Sequence, residues 1–517
     1  MSTGQVSWHP MLDRYEVFCG YANYTEDGRH VLQDGSSGVR LALQRPEKAG
    51  PFFSRERRWE AMLLNHMSLL YDQGRYRMWY SAWPDPDDPA IPGDHAPGSS
   101  GNPEYICYAE SEDGLNWERP ELGLCEYGGT RATNILFPAG YFGFHSIFVD
   151  PTAPPEERYR AVDARGEIRV DGRLITKQEL IRLRAEADAA GDAGAELATR
   201  LKMTNFLRGA VSPDGIHWEC LEEPLAAPGG ALDTQNIVAY DEERGQYVAY
   251  LRGGVGRRRS VRYSCSKDFR QGWTETRIVF ATDSQDPWDV DVYTPAYGRY
   301  PTGMHRIMFP SFYHRASDVL DIHLAVSRDG VNWTRPERRA LVDRAVGNDV
   351  GGGEFGSLYA APGLLPLGED GYGLAYLANR RNHNEWDWKR HRVIGPDGEY
   401  WWAKWKRDRL VALQADAGGK ATLVERPCVG DRLLANFRTE PGGWLQFELT
   451  PEIPNRTGWE QPPAIPGYSF SDCAPLQGDS LAQPVTWNGK ADLSALKGTD
   501  VVIRVKMVRA KLFALAI

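Results

Sequence analysis

Three stretches of the chain carry one phrase: SEDGLNWERP at Ser111–Pro120, SPDGIHWECL at Ser212–Leu221 and SRDGVNWTRP at Ser327–Pro336. Each stretch begins with the pattern Ser-x-Asp-Gly-x-x-Trp. A phrase that recurs at long intervals within one chain is typical of a repeated supersecondary unit. The sequence therefore predicts an array of similar small β-sheets.

The residue types in the phrase indicate a tight turn. The Ser and Asp side chains can bond nearby backbone amides, the Gly can adopt a positive φ angle, and the Trp can pack between neighbouring sheets. Asp113, Asp214 and Asp329 are therefore predicted to be structural residues on the outer rim of the fold.

Each phrase ends a pattern of short strands separated by turns, and this pattern occurs five times. Four such strands describe one blade of a β-propeller. In the third unit the phrase is degenerate and reads SKDFRQGW. The predicted units are Leu63–Pro120, Gly143–Cys220, Leu232–Phe280, Val290–Pro336 and Gly356–Ala415.

Other segments depart from this pattern. Lys177–Met203 is rich in Ala, Leu, Glu and Arg, which predicts a helix inserted into the second blade. After about Gly418, apolar and polar residues alternate around Gly turns, as in an antiparallel sandwich. We therefore predict an all-β protein: an N-terminal extension that packs on the propeller or closes its ring (1–53), a five-bladed β-propeller (54–417) and a C-terminal β-sandwich (418–517).

The composition restricts the class of partner. The formal net charge is −10, from 60 basic and 70 acidic residues, and it gives no footprint for nucleic acid or an anionic membrane. Neither a secretion signal nor a long apolar run is evident, so a cytoplasmic location is predicted. The seven cysteines are scattered, which favours reduced thiols over a disulfide framework. A small or neutral partner is favoured, and a homo-oligomer stays open.

The repeated phrases, the five units and the trailing sandwich resemble the five-bladed propeller glycosidases, in particular the clan that contains glycoside hydrolase family 32, with family 43 as a cousin. Within that clan the chain resembles bacterial proteins with a family-32-like domain. The Trp-x-Asn-Asp-Pro-x-Gly and Arg-Asp-Pro signatures of invertase-like members are absent, so their catalytic residues are not carried over. The resemblance implies a glycosidase acting on a small glycoside or oligosaccharide, with a furanoside as one option.

In a propeller, ligands bind where the starts of the innermost strands converge. Glycoside cleavage needs a protonated carboxyl group and an ionised carboxylate, and a third carboxylate can raise the acid's pKa. Asp233, Asp291 and Glu354 are expected on three successive inner strands and are the predicted catalytic residues. Glu354, with its longer side chain after a Gly run, is the predicted acid, Asp233 the nucleophile or base, and Asp291 the modulator.

Further polar residues near these strand starts are predicted to bind substrate. The histidines could bond sugar hydroxyls, and the arginines could bond a carboxylate or hydroxyl groups. No cofactor is predicted, although the histidines leave open a structural divalent cation in the channel. The predicted substrate-binding residues are Glu60, His66, His145, Asn236, Arg252, His314, Arg315, Arg380 and His383; Glu60 could also replace one of the catalytic acids.

Two more features bear on the ligand. Trp79, Trp83, Trp288 and Trp386 could stack on a sugar ring or pack between blades. The run GRRRSVR at Gly256–Arg262 is either a solvated turn or an anion site. An anion site would matter because propeller enzymes that resemble glycoside hydrolase family 130 use phosphate in place of water. A phosphorylase or transglycosidase, and a non-catalytic carbohydrate-binding propeller, therefore remain alternatives to the hydrolase.

Overall fold

The computed structural model describes residues 7–24, 27–33, 35–91, 103–138, 141–144, 146–175, 177–189, 197, 199–348, 353–387, 392–393, 395–451 and 462–517. Over these ranges the protein is nearly all β, as predicted. None of the described helices is long and apolar enough to cross a membrane. Four short 3-10 helices are present: Arg14–Glu16, Arg58–Glu60, Pro155–Glu157 and Ser494–Leu496.

The N-terminal region supplies strands to sheets that form much later in the chain. Its strands are β1 (Trp8–Pro10), β2 (Tyr21–Tyr24), β3 (His30–Gln33), β4 (Arg40–Leu43) and β5 (Glu47–Phe53). Among the described residues, β2 and β3 pair only with each other, as an antiparallel hairpin. The other three pair with strands of the second half of the chain.

The first sheet unit is an antiparallel sheet in the order β6-β7-β8, made of β6 (Leu63–Asp72), β7 (Arg75–Trp83) and β8 (Tyr105–Ser111). The second unit has the order β11-β10-β12-β13, with β9 beside β10. Its strands are β9 (Ser146–Val149), β10 (Tyr159–Val170), β11 (Arg173–Ile175), β12 (Leu201–Ser212) and β13 (Glu219–Cys220).

The helix α1 (Lys177–Ala189) lies between β11 and β12, within the second unit. The predicted helical segment was too long at its C-terminal end, because Leu201 to Met203 belong to β12 and pair with β10 at Val170 to Ile168. Ladder hydrogen bonds to a long neighbouring strand outweigh the strong helical propensity of Leu, Lys and Met.

The third unit has the simple order β14-β15-β16-β17, with β14 (Ile237–Asp241), β15 (Gln246–Val255), β16 (Arg258–Ser266) and β17 (Arg277–Phe280). The fourth unit is split into two ladders, β18-β21-β22 and β19-β20-β23. Its strands are β18 (Val290–Thr294), β19 (Tyr297–Arg299), β20 (Arg306–Met308), β21 (Ser311–His314), β22 (Val319–Ile322) and β23 (Ala325–Ser327).

The fifth unit has the order β24-β26-β29-β5, so an N-terminal strand forms its outer edge, and β24 also pairs in parallel with β22 of the fourth unit at Ser357 and Leu320. β25 pairs with β26, while β27 and β28 form a small separate hairpin. The strands are β24 (Ser357–Ala360), β25 (Leu365–Pro366), β26 (Gly371–Asn379), β27 (Trp386–Asp387), β28 (Arg392–Val393) and β29 (Glu399–Lys406).

A seven-stranded sheet combines the two ends of the chain. Its strands from the C-terminal region are β30 (Val411–Thr422), β31 (Arg426–Pro427), β32 (Leu434–Thr450), β33 (Asp479–Pro484) and β34 (Asp500–Ala516). The order is β33-β32-β34-β30-β4, with β1 and β31 also paired to β34. Fully buried apolar side chains such as Phe447, Ile503 and Leu512 form its core.

Buried apolar clusters join each sheet unit to the next. The same kind of cluster joins the fifth unit back to the first, through residues such as Leu64 and Leu377. Burial of apolar side chains is the main favourable term in such packing. The clusters at the other four junctions contain residues of both units. They include Trp79 and Tyr159 between the first and second units, Val162 and Tyr247 between the second and third, Tyr250 and Met308 between the third and fourth, and Phe309 and Tyr376 between the fourth and fifth.

The repeated phrase forms the turn that its residues predict. Asp113 Oδ1 accepts hydrogen bonds from the backbone amides of Leu115 at 2.7 Å and Asn116 at 2.8 Å. Ser111 Oγ accepts from the Gly114 amide at 2.9 Å. Asp214 and Asp329 make the equivalent bonds. The structural role predicted for these aspartates is confirmed, and each has a pKa lowered to about 2, with hydrogen bonds from its own turn opposing the effect of burial.

Each of these turns also receives a hydrogen bond from a neighbouring sheet. The Gly215 carbonyl accepts from Trp79 Nε1 of the first unit at 2.6 Å. The Gly114 carbonyl accepts from Trp402 Nε1 of the fifth unit, and the Gly330 carbonyl from the Tyr250 hydroxyl of the third unit, both at 2.8 Å. All three donors are almost completely buried.

A methyl group at Gly215 is expected to disrupt this contact. Gly215 has φ +80°, and a Cβ there would lie 2.6 Å from the Trp79 ring. We expect Gly215→Ala to lower the free energy of unfolding by about 3 kcal/mol, because overpacking adds to the backbone penalty. Gly74→Ala is the matched control, since Gly74 has φ +78° with no atom within 4 Å.

The control should lose only about 1 kcal/mol. Urea unfolding followed by tryptophan fluorescence measures both values. Equal losses in the two variants would contradict the docking role of the turn.

Candidate functional site

Two predicted catalytic carboxylates form ion pairs with predicted substrate-binding arginines. Asp233, in the loop before β14, pairs with Arg252 of β15. Asp291 of β18 accepts a hydrogen bond from Arg315 Nε at 2.9 Å and another from Nη2. The Asp233 side chain is 62% exposed, whereas that of Asp291 is fully buried. Asp233 is therefore accessible from solvent, whereas Asp291 is enclosed by the protein.

The loop that carries Asp233 is held by its own amide side chains. Asn236 Nδ2 donates to the carbonyls of Leu232 at 2.8 Å and Thr234 at 2.7 Å, and its Oδ1 accepts from the Arg252 amide at 3.0 Å. Asn236 is fully buried. These bonds use its amide group within the protein, so Asn236 positions Asp233 and Arg252.

Two tyrosines lie on the same face of the fourth unit as Asp291. Tyr293 follows Asp291 by two residues in β18, and Tyr313 lies opposite Asp291 in β21. The Arg259 guanidinium lies over both rings, 4.4 Å from the centroid of Tyr293 and 5.9 Å from that of Tyr313. Stacking on a ring face stabilises a cation without neutralising its charge.

Charged groups from two other units act on Tyr293. Burial raises the pKa of Tyr293, and its electrostatic neighbours, in order of effect, are Arg259, Asp233, Arg252 and Arg381. At neutral pH the phenol is therefore protonated and can donate a hydrogen bond. One carboxylate and three guanidinium groups thus act electrostatically on a single, partly buried phenol.

The fifth unit adds a tyrosine and a histidine. The Tyr359 hydroxyl lies 2.7 Å from His383 Nδ1. The His383 ring is 4.6 Å from that of Tyr293, and the His66 ring of the first unit is 5.5 Å from that of Tyr359. Burial, helped by the positive charge of Arg259, lowers the pKa of His383 to about 4. His383 is thus neutral at neutral pH and acts as a hydrogen-bonding group.

These side chains meet where the first strands of the units begin, and we call them the strand-start cluster. They come from the first, third, fourth and fifth units, as expected for the convergence of inner strands. The members are His66, Asp233, Arg252, Arg259, Asp291, Tyr293, Tyr313, Tyr359, Arg381 and His383.

Several buried polar atoms in or beside the cluster have no hydrogen-bond partner among the described residues. Such atoms are rare in native proteins, and a ligand or ordered water usually satisfies them. Both donors and acceptors are represented. The atoms are Thr234 Oγ1, Gln235 Oε1, Arg259 Nη1, Asp291 Oδ1, Asn379 Oδ1 and Arg381 Nε.

Glu354, the third predicted catalytic acid, is placed differently. Its side chain is 62% exposed and pairs with Arg344 Nη2 at 2.6 Å. None of its described contacts reaches the strand-start cluster. Asp233 and Glu354 lie a few residues before β14 and β24, at the entrances of these strands rather than within them, and Glu354 forms an isolated bridge with Ala345. Loops at strand starts give acidic side chains more freedom to approach a ligand.

Glu60 is enclosed by protein partners. Its side chain is fully buried, Oε1 accepts from the Tyr80 hydroxyl at 2.6 Å and from Arg119 Nε at 2.9 Å, and Oε2 accepts from two backbone amides. A carboxylate whose oxygens are all used inside the protein stabilises local packing. We therefore assign Glu60 to the packing beneath the first sheet.

Other predicted ligand residues point elsewhere or fall outside the description. His314 pairs with Asp321 at 3.3 Å, and this contact raises the pKa of His314. The Arg380 guanidinium lies over the Phe355 ring at 4.5 Å. His145 and the side chain of Trp386 lie outside the described part of the chain. Of the other three tryptophans considered for stacking on a sugar, Trp79 and Trp83 are buried, and Trp288 is 91% exposed.

The sequence did not single out five members of the cluster: Arg259, Tyr293, Tyr313, Tyr359 and Arg381. Arg259 lies in the basic run GRRRSVR, and Tyr293 follows Asp291 at the spacing that places two strand residues on one face. Tyr359 and Arg381 had no comparable signal. Arg381 neighbours the predicted Arg380. Both residues follow the last residue of β26, so the sequence alone does not indicate which of the two side chains lies near the cluster.

Metal ligation finds no support within the described ranges. No group of three or more His, Cys, Asp or Glu side chains there is arranged to hold an ion. All seven cysteines are unpaired.

No protein-family model matches the sequence, and no curated protein matches it. Solved structures give distant likenesses. An N-acetylgalactosamine deacetylase from F. plautii is 15% identical, with 72% of this chain and 97% of that chain covered and a TM-score of 0.41. A glycoside hydrolase family 32 β-fructofuranosidase from Bombyx mori is 9% identical, with 88% of this chain and 92% of that chain covered and a TM-score of 0.37. A β-1,2-mannobiose phosphorylase from Listeria innocua is 10% identical, with 71% of this chain and 99% of that chain covered and a TM-score of 0.41.

A ligand-binding role for Arg259 predicts that its loss costs little stability. The guanidinium stacks on tyrosines, and its Nη1 is unpartnered among the described residues. We expect Arg259→Gln to change the free energy of unfolding by no more than about 1 kcal/mol. Arg306→Gln is the contrast, because Arg306 is buried and bonds Asp241 through both Nε and Nη2.

Loss of the Arg306 partner should cost about 3–5 kcal/mol, since a buried carboxylate is left unpaired. Urea unfolding measures both variants. A loss in Arg259→Gln as large as that in Arg306→Gln would show that Arg259 is a structural residue.

Proposed function

We propose that the protein is a glycoside-processing enzyme, a hydrolase in its leading form, built on a five-bladed β-propeller with a C-terminal β-sandwich. The cyclic series of apolar clusters, which links each unit to the next and the fifth to the first, supports the ring. Closure by β5 supports it further. The buried core of the C-terminal sheet supports a two-layered sandwich.

The observation that carries the function is the strand-start cluster itself. It places the carboxylates Asp233 and Asp291 beside guanidinium groups, aromatic rings and unsatisfied buried polar atoms at one end of the inner strands. A sugar presents both flat apolar faces and many hydroxyl groups, and such a site offers partners for each. Cleavage of a glycosidic bond additionally needs carboxyl groups, which the cluster contains.

We assign the roles by exposure. Asp233 faces solvent and is the proposed nucleophile or base. Asp291 is buried beside Arg315, and its Oδ1 has no hydrogen-bond partner in the described part of the chain, so it is the proposed modulator, whose charge acts on the other carboxyl groups. Glu354 remains the proposed general acid. Its carboxylate now bonds Arg344, so substrate would have to displace that arginine before Glu354 carries a proton.

Phosphorolysis is the second candidate, and Arg259 is the observation that favours it. Arg259 Nη1 has no partner in the described structure, and Arg252 and Arg381 lie in the same cluster. Guanidinium groups are well suited to bind phosphate oxygens. Phosphate would then replace water as the acceptor of the sugar.

Substitution of the carboxylates tests the assignment. Asp233→Asn should reduce kcat on a responsive aryl glycoside or oligosaccharide by at least about 100-fold, because the nucleophile or base is lost. Asp291→Asn and Glu354→Gln should also reduce kcat. Asp214→Asn is the control, since it makes the same chemical change in a structural turn and should retain turnover.

The assay uses a substrate panel with and without inorganic phosphate. Full activity in both Asp233→Asn and Asp291→Asn would overturn the site. Absence of turnover on the whole panel would favour the non-catalytic carbohydrate-binding propeller.

A further inference from the structure

Three short segments meet at the strand-start end of the third and fourth units, outside the strand-start cluster. They are the β15–β16 turn (255–258), residues 287–289 before β18 and residues 315–316 after β21. The first residue of β14, Ile237, pairs with Tyr250, so β15 passes this strand start and carries its turn beyond it. We call the three segments the junction ridge.

Hydrogen bonds fix the backbone of the junction ridge. Arg258 Nη2 donates to the Trp288 carbonyl at 2.5 Å, and its Nη1 donates to the Val290 carbonyl at 3.1 Å. The Arg315 amide donates to the Asp289 carbonyl at 2.9 Å. The segment around Trp288 is therefore held from both the third and the fourth unit.

The ridge adjoins a proposed catalytic carboxylate. Arg315 Nε donates to Asp291 at 2.9 Å, and Arg315 Nη2 donates to the Arg257 carbonyl at 3.3 Å. Trp288 precedes Asp291 by three residues, which span at most about 10 Å of chain. A ligand that occupies the cluster and extends past Asp291 would therefore reach the ridge.

Trp288 is 91% exposed, more than any other large apolar side chain in the described ranges. A single exposed apolar side chain is ordinary, so its surroundings decide its meaning. The backbone of Trp288 is fixed by Arg258, and an aromatic ring on a fixed backbone loses little conformational entropy when a flat ligand stacks on it. Trp288 thus provides a ready stacking surface beside the cluster.

Arg257 adopts a backbone conformation that costs stability. Gly256 and Arg257 have φ +56° and +62°, as in a type I′ turn, in which Gly or Asn is favoured at both central positions. The Arg257 side chain is exposed and forms no hydrogen bond or ion pair with a described residue. Strain that gains no contact within the protein is typical of functional positions.

Asp289 supplies an acceptor next to these two residues. Its Oδ2 accepts from the Ala316 amide at 3.2 Å, and its other oxygen accepts no bond from a described residue. The other charged side chains nearby are in use: Arg258 and Arg315 have the partners given above, and His314 pairs with an aspartate of β22. The ridge therefore offers a cationic donor and an anionic acceptor whose charges balance.

We propose that the junction ridge binds a second sugar ring, next to the ring held by the strand-start cluster, so that the substrate is an oligosaccharide rather than a one-ring glycoside. This inference rests on the proposed function of the cluster. Trp288 stacks on the flat apolar face of the second ring, Arg257 donates to one of its oxygens, and Asp289 accepts from one of its hydroxyl groups.

Fluorine NMR of the Asp233→Asn variant, labelled with 5-fluorotryptophan, tests the proposal without consuming the sugar. The probes are arabino-, fructo- and manno-oligosaccharides of one, two and three rings, and Trp288→Phe identifies the Trp288 signal. We expect this signal to shift saturably with the longer members of at least one series. They should bind about tenfold tighter than the single ring, because only they reach Trp288.

Substitutions separate ligand binding from folding. Trp288→Ala should remove the advantage of the longer sugars, whereas Trp288→Phe should keep most of it because an aromatic face remains. Arg257→Asn should weaken their binding by about fivefold. The same change should leave the free energy of unfolding equal or higher, because Asn tolerates the positive φ better than Arg does.

Two matched controls lie away from the ridge. Tyr71→Ala removes an aromatic ring that is 44% exposed, at the opposite end of the first unit. Arg432→Asn makes the same change as Arg257→Asn at an exposed arginine, whose ion-pair contact is 3.8 Å from Asp431. Both variants should bind the longer sugars as tightly as the parent protein.

Two results would contradict the proposal: no saturable shift of the Trp288 signal with any series, or equal binding of one-ring and longer sugars. Turnover of a one-ring aryl glycoside without any Trp288 shift would support the hydrolase and remove the second-ring site. A saturable Trp288 shift in a protein that turns over no glycoside would support the second-ring site and remove only the hydrolase.

Discussion

The packing of the sheets depends on a hydrogen bond from a buried aromatic side chain to the glycine carbonyl of a turn in a neighbouring sheet. Trp79 makes this bond to Gly215, Trp402 to Gly114, and Tyr250 to Gly330. The aspartate of each phrase fixes the turn, and the positive φ of the glycine directs its carbonyl to the donor. A buried donor without this acceptor would be costly, so each junction tolerates little rotation of one sheet against the next.

The strand-start cluster is a consequence of that constraint. Its members come from four units, and their relative positions hold only if the units keep a fixed orientation. The cluster also contains polar atoms without a hydrogen-bond partner among the described residues, such as Arg259 Nη1 and Asp291 Oδ1. Local rules are commonly broken at functional sites, where the rest of the fold supplies the stability. The turns thus hold the sheets in place, and the cluster provides the groups proposed for the chemistry.

The sequence predicted the turns well because the hydrogen bonds that form each turn are local. Asp113 contacts residues two and three positions away, so the phrase contains its own structure. The pairs of Asp233 with Arg252 and of Asp291 with Arg315 lie within single units, and their residues were among those predicted.

Contacts that depend on side-chain direction were harder to predict. A register shift in β6 between Leu64 and Met67 accompanies the contact of His66 with Tyr359 of the fifth unit. Glu60 was predicted to bind substrate from its position before the first strand. Its ion pair with Arg119, which buries it, joins residues far apart in the chain and could not be seen in the local sequence. Likewise, Leu201 to Met203 form a strand because they pair with β10, and their local composition does not indicate this.

Hydrogen exchange in the Asp233→Asn variant, with and without the panel glycoside that the native protein turns over, tests the central claim most directly. The account predicts that bound glycoside slows exchange in peptides covering residues 232–236, 252–259 and 379–383, because these segments carry the strand-start cluster. Slower exchange confined to other segments, or no change at saturating glycoside, would contradict it.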